Sequence, residues 1–452
     1  MKPPLDTGDI QALVFSGHGR FPESLAMGFA VAEPEAAKRS ALGLVRSEIS
    51  FGLSRGERTR AAQLLLSAVG VAALGGPAIL EGLDTAFREG MVSPQRSRAL
   101  GDAGINDPSG WLWRDRDVHL MLLVYGPDAA GVETTARAVR QTLASGWKAV
   151  FELPVCSPQD RREPFGFRDG ITSPRIDLGD LNLREPGVDF LAPGDVLLGE
   201  RTAAGTLNAP PPLGVGGSYL AIRQVEQDVE AFWKFWASQS RNAQEAIWLA
   251  AKAVGRWPNG MPVGAGAAGP QPPAVEEEIM RPMSFTADQE GTGCPYGAHI
   301  RRANPRDTLE TDPRVSLAVV AQHRIIRRGR MYGARAPTAV YPAGFDVPEL
   351  GASDPEASKD RGLLFMCLCS DLTGQFEFIQ QTWLNNPQFA DRRDESDPIT
   401  PGVDVVQDSR RLSIPGKPMR RRIHALPRWS RVRAGGYFLL PGRRALEHLL
   451  SQ

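Results

Sequence analysis

Three short stretches carry residue types that could do chemistry. CPYGAHIRRANPRD (294–307) sets His299, one of only six histidines, between a tight corner and a cluster of arginines. EPFGFRDGITSP (163–174) sets Asp169 between Arg168 and Gly170, and HRIIRRGRMYGAR (323–335) concentrates arginine. A histidine can ligate a metal, a carboxylate can move protons, and a guanidinium can hold a developing anion. Each stretch also has a plain structural reading. Asp-Gly is a turn signal, an arginine run reads as a solvated basic face, and a lone histidine is more often packed or exposed than ligating. None of the three decides by itself.

The elements that must position these residues follow from apolar patterning. DIQALVF (9–15) alternates as a strand, and 33–47 has helical composition. AAQLLLSAVGVAALGGPAIL (61–80) has the length of a membrane span, but Gln63, its glycines and Pro77 favour a buried strand over about 62–69 running into a short helix. DVHLMLLVYG (117–126) reads as a strand, AAGVETTARAVRQTLASG (129–146) as a glycine-closed amphipathic helix and WKAVFELPV (147–155) as a strand. That order is ferredoxin-like. The second half repeats it less legibly, with strands at GSYLAIRQV (217–225) and GLLFMCLCSD (362–371), and helices at QDVEAFWKFWASQ and GQFEFIQQTWLNN.

The expected fold class is therefore α+β, with two ferredoxin-like domains of antiparallel sheet over residues 1–190 and 191–452 and an irregular joint near 187–217. GAGAAG (264–269) matches a nucleotide fingerprint in form, but prolines flank it where a strand and a helix start are needed, so it reads as a loop. The stretch 341–360 reads as a surface excursion.

Composition narrows the classes. With Lys+Arg 52 against Asp+Glu 52 the formal charge is zero, which argues against a nucleic-acid binder relying on bulk positive charge. Cys156, Cys294, Cys367 and Cys369 are too scattered for a disulfide framework and form no CxxC pair, which fits buried thiols in a reducing compartment. MKPPLDTGDI carries neither an apolar signal core nor twin arginines, so the expectation is a cytoplasmic protein without a membrane partner.

Taken together, GFRDG, the histidine of CPYGAHIRRANPRD 130 residues later (299 − 169) and RIIRRGRMYG resemble the dye-decolorising peroxidases, haem peroxidases built on two ferredoxin-like halves. DIQALVFSGHGRFPES, FREGM, VGRWPNGMP and FEFIQQTWLNNP resemble further family segments, so the likeness runs over most of the chain. The resemblance implies haem b held mainly by the C-terminal half, His299 as axial iron ligand, Asp169 as acid/base residue and Arg327 as its cationic partner. It implies that Leu363 and Phe365, two apart on one strand face, wall the distal pocket. Among Arg301, Arg302 and Arg306, it points to Arg306 as the partner of a haem carboxylate. Asn385, in WLNNP, aligns with the acidic partner of the ligating histidine in relatives, and would put an amide where they have a carboxylate. Tyr332 and Trp383 are the candidates for a radical relay to bulky reductants.

The implied activity is reduction of hydrogen peroxide with oxidation of dyes, phenols or other aromatic reductants, and an acidic optimum, because Arg327 favours ionised Asp169. A haem-binding or iron-releasing protein of the deferrochelatase kind, and a scaffold without turnover, are the alternatives; intact Asp169 and Arg327 favour the peroxidase.

Overall fold

The structure, a computed structural model, describes residues 5–53, 58–179, 189–207, 213–264, 283–336, 338–341, 345–348, 360–400, 410–416 and 418–452. Pro210, Ala265 to Gly269 of the rejected fingerprint and most of 341–360 lie outside the described residues.

In the first half, β1 (Glu23–Val31), α1 (Pro34–Ser47), β2 (Ala61–Leu66), the short helices α2 (Ala68–Gly75), α3 (Thr85–Glu89) and α4 (Pro94–Leu100), β3 (Leu120–Gly126), α5 (Ala129–Leu143) and β4 (Trp147–Cys156) follow in turn. A small parallel pair, β5 (Arg175–Ile176) and β6 (Phe190–Leu191), precedes the second half. There, β7 (Ser218–Gln227), α6 (Val229–Ser238), α7 (Ala243–Val254), α8 (His299–Ala303) and α9 (Pro313–Ala321) lead to β8 (Ile326–Arg327) and β9 (Arg330–Tyr332). The chain ends with the hairpin β10 (Thr338–Tyr341) and β11 (Phe345–Pro348), β12 (Gly362–Cys369), the pair β13 (Leu412–Ile414) and β14 (Arg421–Ile423), β15 (Ser430–Leu440) and α10 (Arg443–Ser451). Between β12 and β13, residues 372–384 wind as π-helical turns.

The large sheet runs β7-β15-β2-β3-β1-β4-β9-β12-β8, and an additional β7–β12 pairing closes it on itself. Every ladder in it is antiparallel. Within it, β4-β1-β3-β2 and β15-β7-β12-β9 are two runs of the same ferredoxin-like order, so the fold is α+β as expected. Strand alternation explains the layering. On β12, Leu364, Met366 and Leu368 fill the interior with Ile222 and Phe438, while Cys367 and Cys369 join the outer core under the helices.

Two expectations need correction. DIQALVF is not a strand: Ala12–Val14 form a single 3-10 turn and the first strand begins at Glu23. Ile10, Ala12, Leu13 and Val14 are all buried, so burial is continuous and not alternating. The run 61–80 does form the expected buried strand, β2, followed by the short helix α2 and a 3-10 turn, and among the described residues no helix is long and apolar enough to cross a membrane.

The arginine run is also not a solvated face. Arg330, 3% exposed, donates to the carbonyls of Gly17, His18, Phe21 and Pro22, and Arg328 donates to those of Leu13 and Val14. These bonds fasten the N-terminal segment to the strands that follow α9. Gln375 does similar work where β12 ends. Its Oε1 accepts from Ser370 N and Asp371 N, both at 2.9 Å, and its Nε2 donates to Asp195 O (2.9 Å) and to Arg324 O. All four bonds are lost in Gln375→Ala, which leaves buried backbone groups unpaired, and we expect the variant to lose about 2–3 kcal/mol of stability in chemical denaturation.

Candidate functional site

The site is assembled from three loops. The first follows β4. Asp169 N donates to Arg161 O at 2.7 Å and Arg168 N to Pro258 O at 3.0 Å, while Gly170 turns the chain with φ +72°, in the region that disfavours side chains. The space around Gly170 is open, so backbone conformation and not crowding demands glycine there.

The second component is β8. Arg327 lies opposite Cys367 of β12, so it shares a sheet face with Leu363 and Phe365, which are partly buried two and four residues along. Its Nη1 reaches Asp169 at 2.8 Å and 3.0 Å to the two carboxylate oxygens, a pair separated by 158 residues in sequence. Both side chains keep part of their surface free of protein contacts, 42% and 46%. Burial works to raise the Asp169 carboxyl, but the Arg327 charge and the Gly170 N–H outweigh it and hold the group below the ordinary carboxylate value.

The third is α8. Pro295 and Ala298 lead into it, and His299 is its first residue. The two arginines that follow are structural. Arg301 is sandwiched over Tyr296 (3.8 Å) and Phe285 (4.6 Å) and bonds Cys294 O and Asp288 O. Arg302 donates to the carbonyls of Trp383, Leu384, Asn386 and Glu395. Both are fully buried.

His299 Nδ1 lies 3.0 Å from Asp397 Oδ2. The other Asp397 oxygen accepts from Ile399 N, Thr400 N and Thr400 Oγ1, and Asp397 N donates to Leu384 O. Burial opposes ionisation of Asp397, yet the His299 contact and the Thr400 amide pull its carboxyl down to about 2. Burial lowers the imidazole, and the Asp397 charge and hydrogen bond more than reverse it, so His299 is raised. His299 and Asp169 also feel each other's charge, which places both in one electrostatic unit.

No family sequence model matches the chain. It is 30% identical over 407 residues to Peroxidase 2 of Mycetinis scorodonius, covering 85% of this chain and 74% of that protein. It is 29% identical over 405 residues to the Multifunctional dye peroxidase DyP2 of an Amycolatopsis species, covering 85% and 81%. Among solved structures, an ancestral D-type dye-decolorising peroxidase superposes with a TM-score of 0.80 at 26% identity over 99% of both chains. The chain belongs to the dye-decolorising peroxidases. It is a haem peroxidase, and the family implies haem, hydrogen peroxide and a reducing substrate.

The residues present suit such a group. His299 keeps Nδ1 on Asp397, which leaves the far side of a ring that is 29% exposed. Arg256 Nη2 and Arg306 Nε are among the buried guanidinium nitrogens that have no acceptor among the described residues. Arg306 binds Asp189 at 3.1 Å and shares it with Arg324 at 2.6 Å. Arg256 feels Arg306, Arg327 and Asp169, and burial ahead of these arginines lowers it to about 10. Unpaired cationic donors of this kind fit the carboxylates of a porphyrin.

One expected partner is wrong. Asn385 does not meet His299: its Oδ1 accepts from Gln380 and its Nδ2 donates to Leu100 O at 3.0 Å, both buried. The π-helical winding before it turns Asn385 toward α4, and the carboxylate comes instead from the turn at Asp397. Sequence reasoning also passed over Asp189, Arg256 and Arg324. For Asp397 a signal existed, since Asp-Pro-Ile-Thr is a turn in which the carboxylate binds amides two and three residues on, but nothing in it points to His299. Tyr332 is 5% exposed on β9, and Trp383 is 3% exposed with its carbonyl on Arg302, so neither reaches the surface by itself.

In the haem-free protein, Asp397→Asn removes the charge that raises His299. Its imidazole should then titrate at lower pH than in the wild type, read from the ring 1H–15N signals.

Proposed function

We propose that this peroxidase binds haem b through Nε2 of His299 and reduces hydrogen peroxide with Asp169 and Arg327, drawing electrons from dyes, phenols or other aromatic reductants. The observation that carries the reading is the Asp169–Arg327 pair, half open and electrostatically linked to a carboxylate-held imidazole. When bound, haem supplies the redox chemistry that side chains lack.

Asp169 is placed to take the proton from one oxygen of hydrogen peroxide and return it to the other, which would leave as water, with the two electrons for breaking the O–O bond and the acceptor for the remaining oxygen atom supplied by the haem. Arg327 holds the carboxylate in its ionised form beforehand and offsets negative charge on the departing oxygen. Leu363 and Phe365, on the same sheet face as Arg327, add apolar surface beside the pair. Asp397 keeps the His299 Nδ1 proton and strengthens Nε2 as a donor to iron. Arg306, with Arg256 and Arg324 nearby, meets the haem carboxylates.

Bulky reductants need not enter the site if electrons pass through side chains between it and the surface. Tyr332, whose hydroxyl is raised by burial despite its hydrogen bond with Gln224, and Trp383, against the helix that bears His299, are the side chains assigned to electron passage. An iron-releasing role would give the distal pair no task, and this favours the peroxidase.

The test is the Soret band of the haem-loaded protein before and after one equivalent of peroxide. Asp169→Asn should keep the band but slow its response by about 10²–10⁴-fold, and His299→Ala should lose or loosen the haem; an Asp169→Asn variant with the wild-type rate would overturn the assignment. Removing Arg327 by Arg327→Leu lifts the force that holds Asp169 down. The carboxyl then protonates at higher pH, and the acid limb of the peroxide rate should move upward in pH.

A further inference from the structure

The loop that presents Asp169 is wound around a second carboxylate. Glu163 Oε1 accepts from Phe167 N at 3.0 Å, and Oε2 accepts from Phe165 N at 3.1 Å and from Gln227 Nε2 at 2.9 Å. Its backbone closes the same turn, with Glu163 N donating to Phe167 O at 2.9 Å and Gly166 N to Glu163 O at 2.8 Å. Two consequences follow for packing. The amides face inward to the carboxylate, so the Phe165 and Phe167 rings are driven against Phe232 (4.3 and 6.3 Å), and Trp233 Nε1 closes on Phe165 O at 3.0 Å. Gln227 ends β7, so the same carboxylate ties the loop after β4 to the sheet of the second half. Asp169 follows two residues after Phe167, on a stretch that has little freedom left.

We infer that Glu163 is a positioning residue for the peroxide reaction, whose carboxyl shapes the loop under Asp169 and sets the charge behind it. This rests on the role given to Asp169 above. Asp and Glu side chains in turns commonly bind a neighbouring amide, but here two amides and a side-chain amide from another strand converge on one group. The groups that face it are the Phe165 and Phe167 amides and Asp169 from its own loop, and Gln227 from β7.

Burial pushes Glu163 up to about 7, against these three hydrogen bonds, and the nearby Asp169 charge adds to the rise. The sign for stability follows. The folded chain binds this proton more tightly than the unfolded chain, so the contribution is full below the ordinary value of 4.5 and is lost as pH rises through about 7. Under acidic conditions Glu163 is neutral while Asp169 stays charged. Above about 7 the two carboxylates repel, which favours the protonated form of Asp169.

The experiment compares wild type, Glu163→Gln and Glu163→Asp as haem-loaded proteins, with Asp169→Asn alongside. In wild type and Glu163→Asp the rate of the Soret response to peroxide should carry an inflection near pH 7. In Glu163→Gln, which is neutral at every pH and sets an N–H against a loop amide, the inflection should vanish and the rate at acidic pH should fall about tenfold. A Glu163→Gln profile parallel to wild type, whether superimposed or uniformly lowered, would reduce Glu163 to a piece of the turn and overturn the inference.

The second readout needs no catalysis. The difference in thermal unfolding midpoint between wild type and Glu163→Gln should grow as pH falls from about 7 to 4.5, and a constant difference would also overturn the inference. A wild-type rate in Asp169→Asn would defeat the proposed role of Asp169 while leaving this stability comparison to stand or fall separately.

Discussion

Two residue pairs between β4 and β9, Val155 with Tyr332 and Cys156 with Met331, hold the functional arrangement together. β4 delivers the chain to the GFRDG loop a dozen residues later, and β8, just before β9, carries Arg327. Pairing the two strands therefore brings Asp169 to Arg327 across 158 residues. The ladder is short, and a slip of one residue would turn every side chain of β9 to the opposite face. The buried Arg330, whose guanidinium is spent on four carbonyls of the N-terminal segment, pins that register from the other side. Closure through β7 and β12 then presents Arg327, Leu363 and Phe365 on one face.

Arginine does two jobs in this fold, and the number of backbone carbonyls each one meets separates them. Arg301, Arg302, Arg328 and Arg330 each donate to two or more backbone carbonyls, and these bonds offset the cost of burying a charge. Arg256 donates to one carbonyl, Arg306 shares the Asp189 carboxylate with Arg324, and Arg327 faces a single carboxylate. The first group builds the loops, and the second leaves a positive field in which an anionic group can be held. The same division applies to carboxylates. Asp397 and Glu163 are each committed to several donors, whereas Asp169 keeps a half-open side chain. The half-open groups are thus carried on loops held by groups with several partners each.

Much of this was legible from residues alone, and the limits are instructive. The helices α1 and α5 and strands β3, β4, β7 and β12 announced themselves because each has one apolar face or is apolar throughout. DIQALVF misled because alternation implies a strand only if one face meets solvent, and here the segment is covered on both. The basic run misled for a related reason: charge density suggests water, but carbonyls of the N-terminal segment replace it. Asn385 misled because a π-helical turn shifts which residue faces which neighbour, and that winding leaves no mark in apolar periodicity.

The sequence by itself determined the ferredoxin-like repeat, through patterning, and singled out Asp169, His299 and Arg327 as candidates, through short motifs that together resemble those of the family. Tertiary structure alone decided which carboxylate holds His299, which arginines face the site and which are staples, and that Glu163 sits behind Asp169. The physical reason is the same in each case. A hydrogen bond between residues 98 apart, such as His299 to Asp397, depends on where two loops end in space, and neither loop carries that information in its own residues.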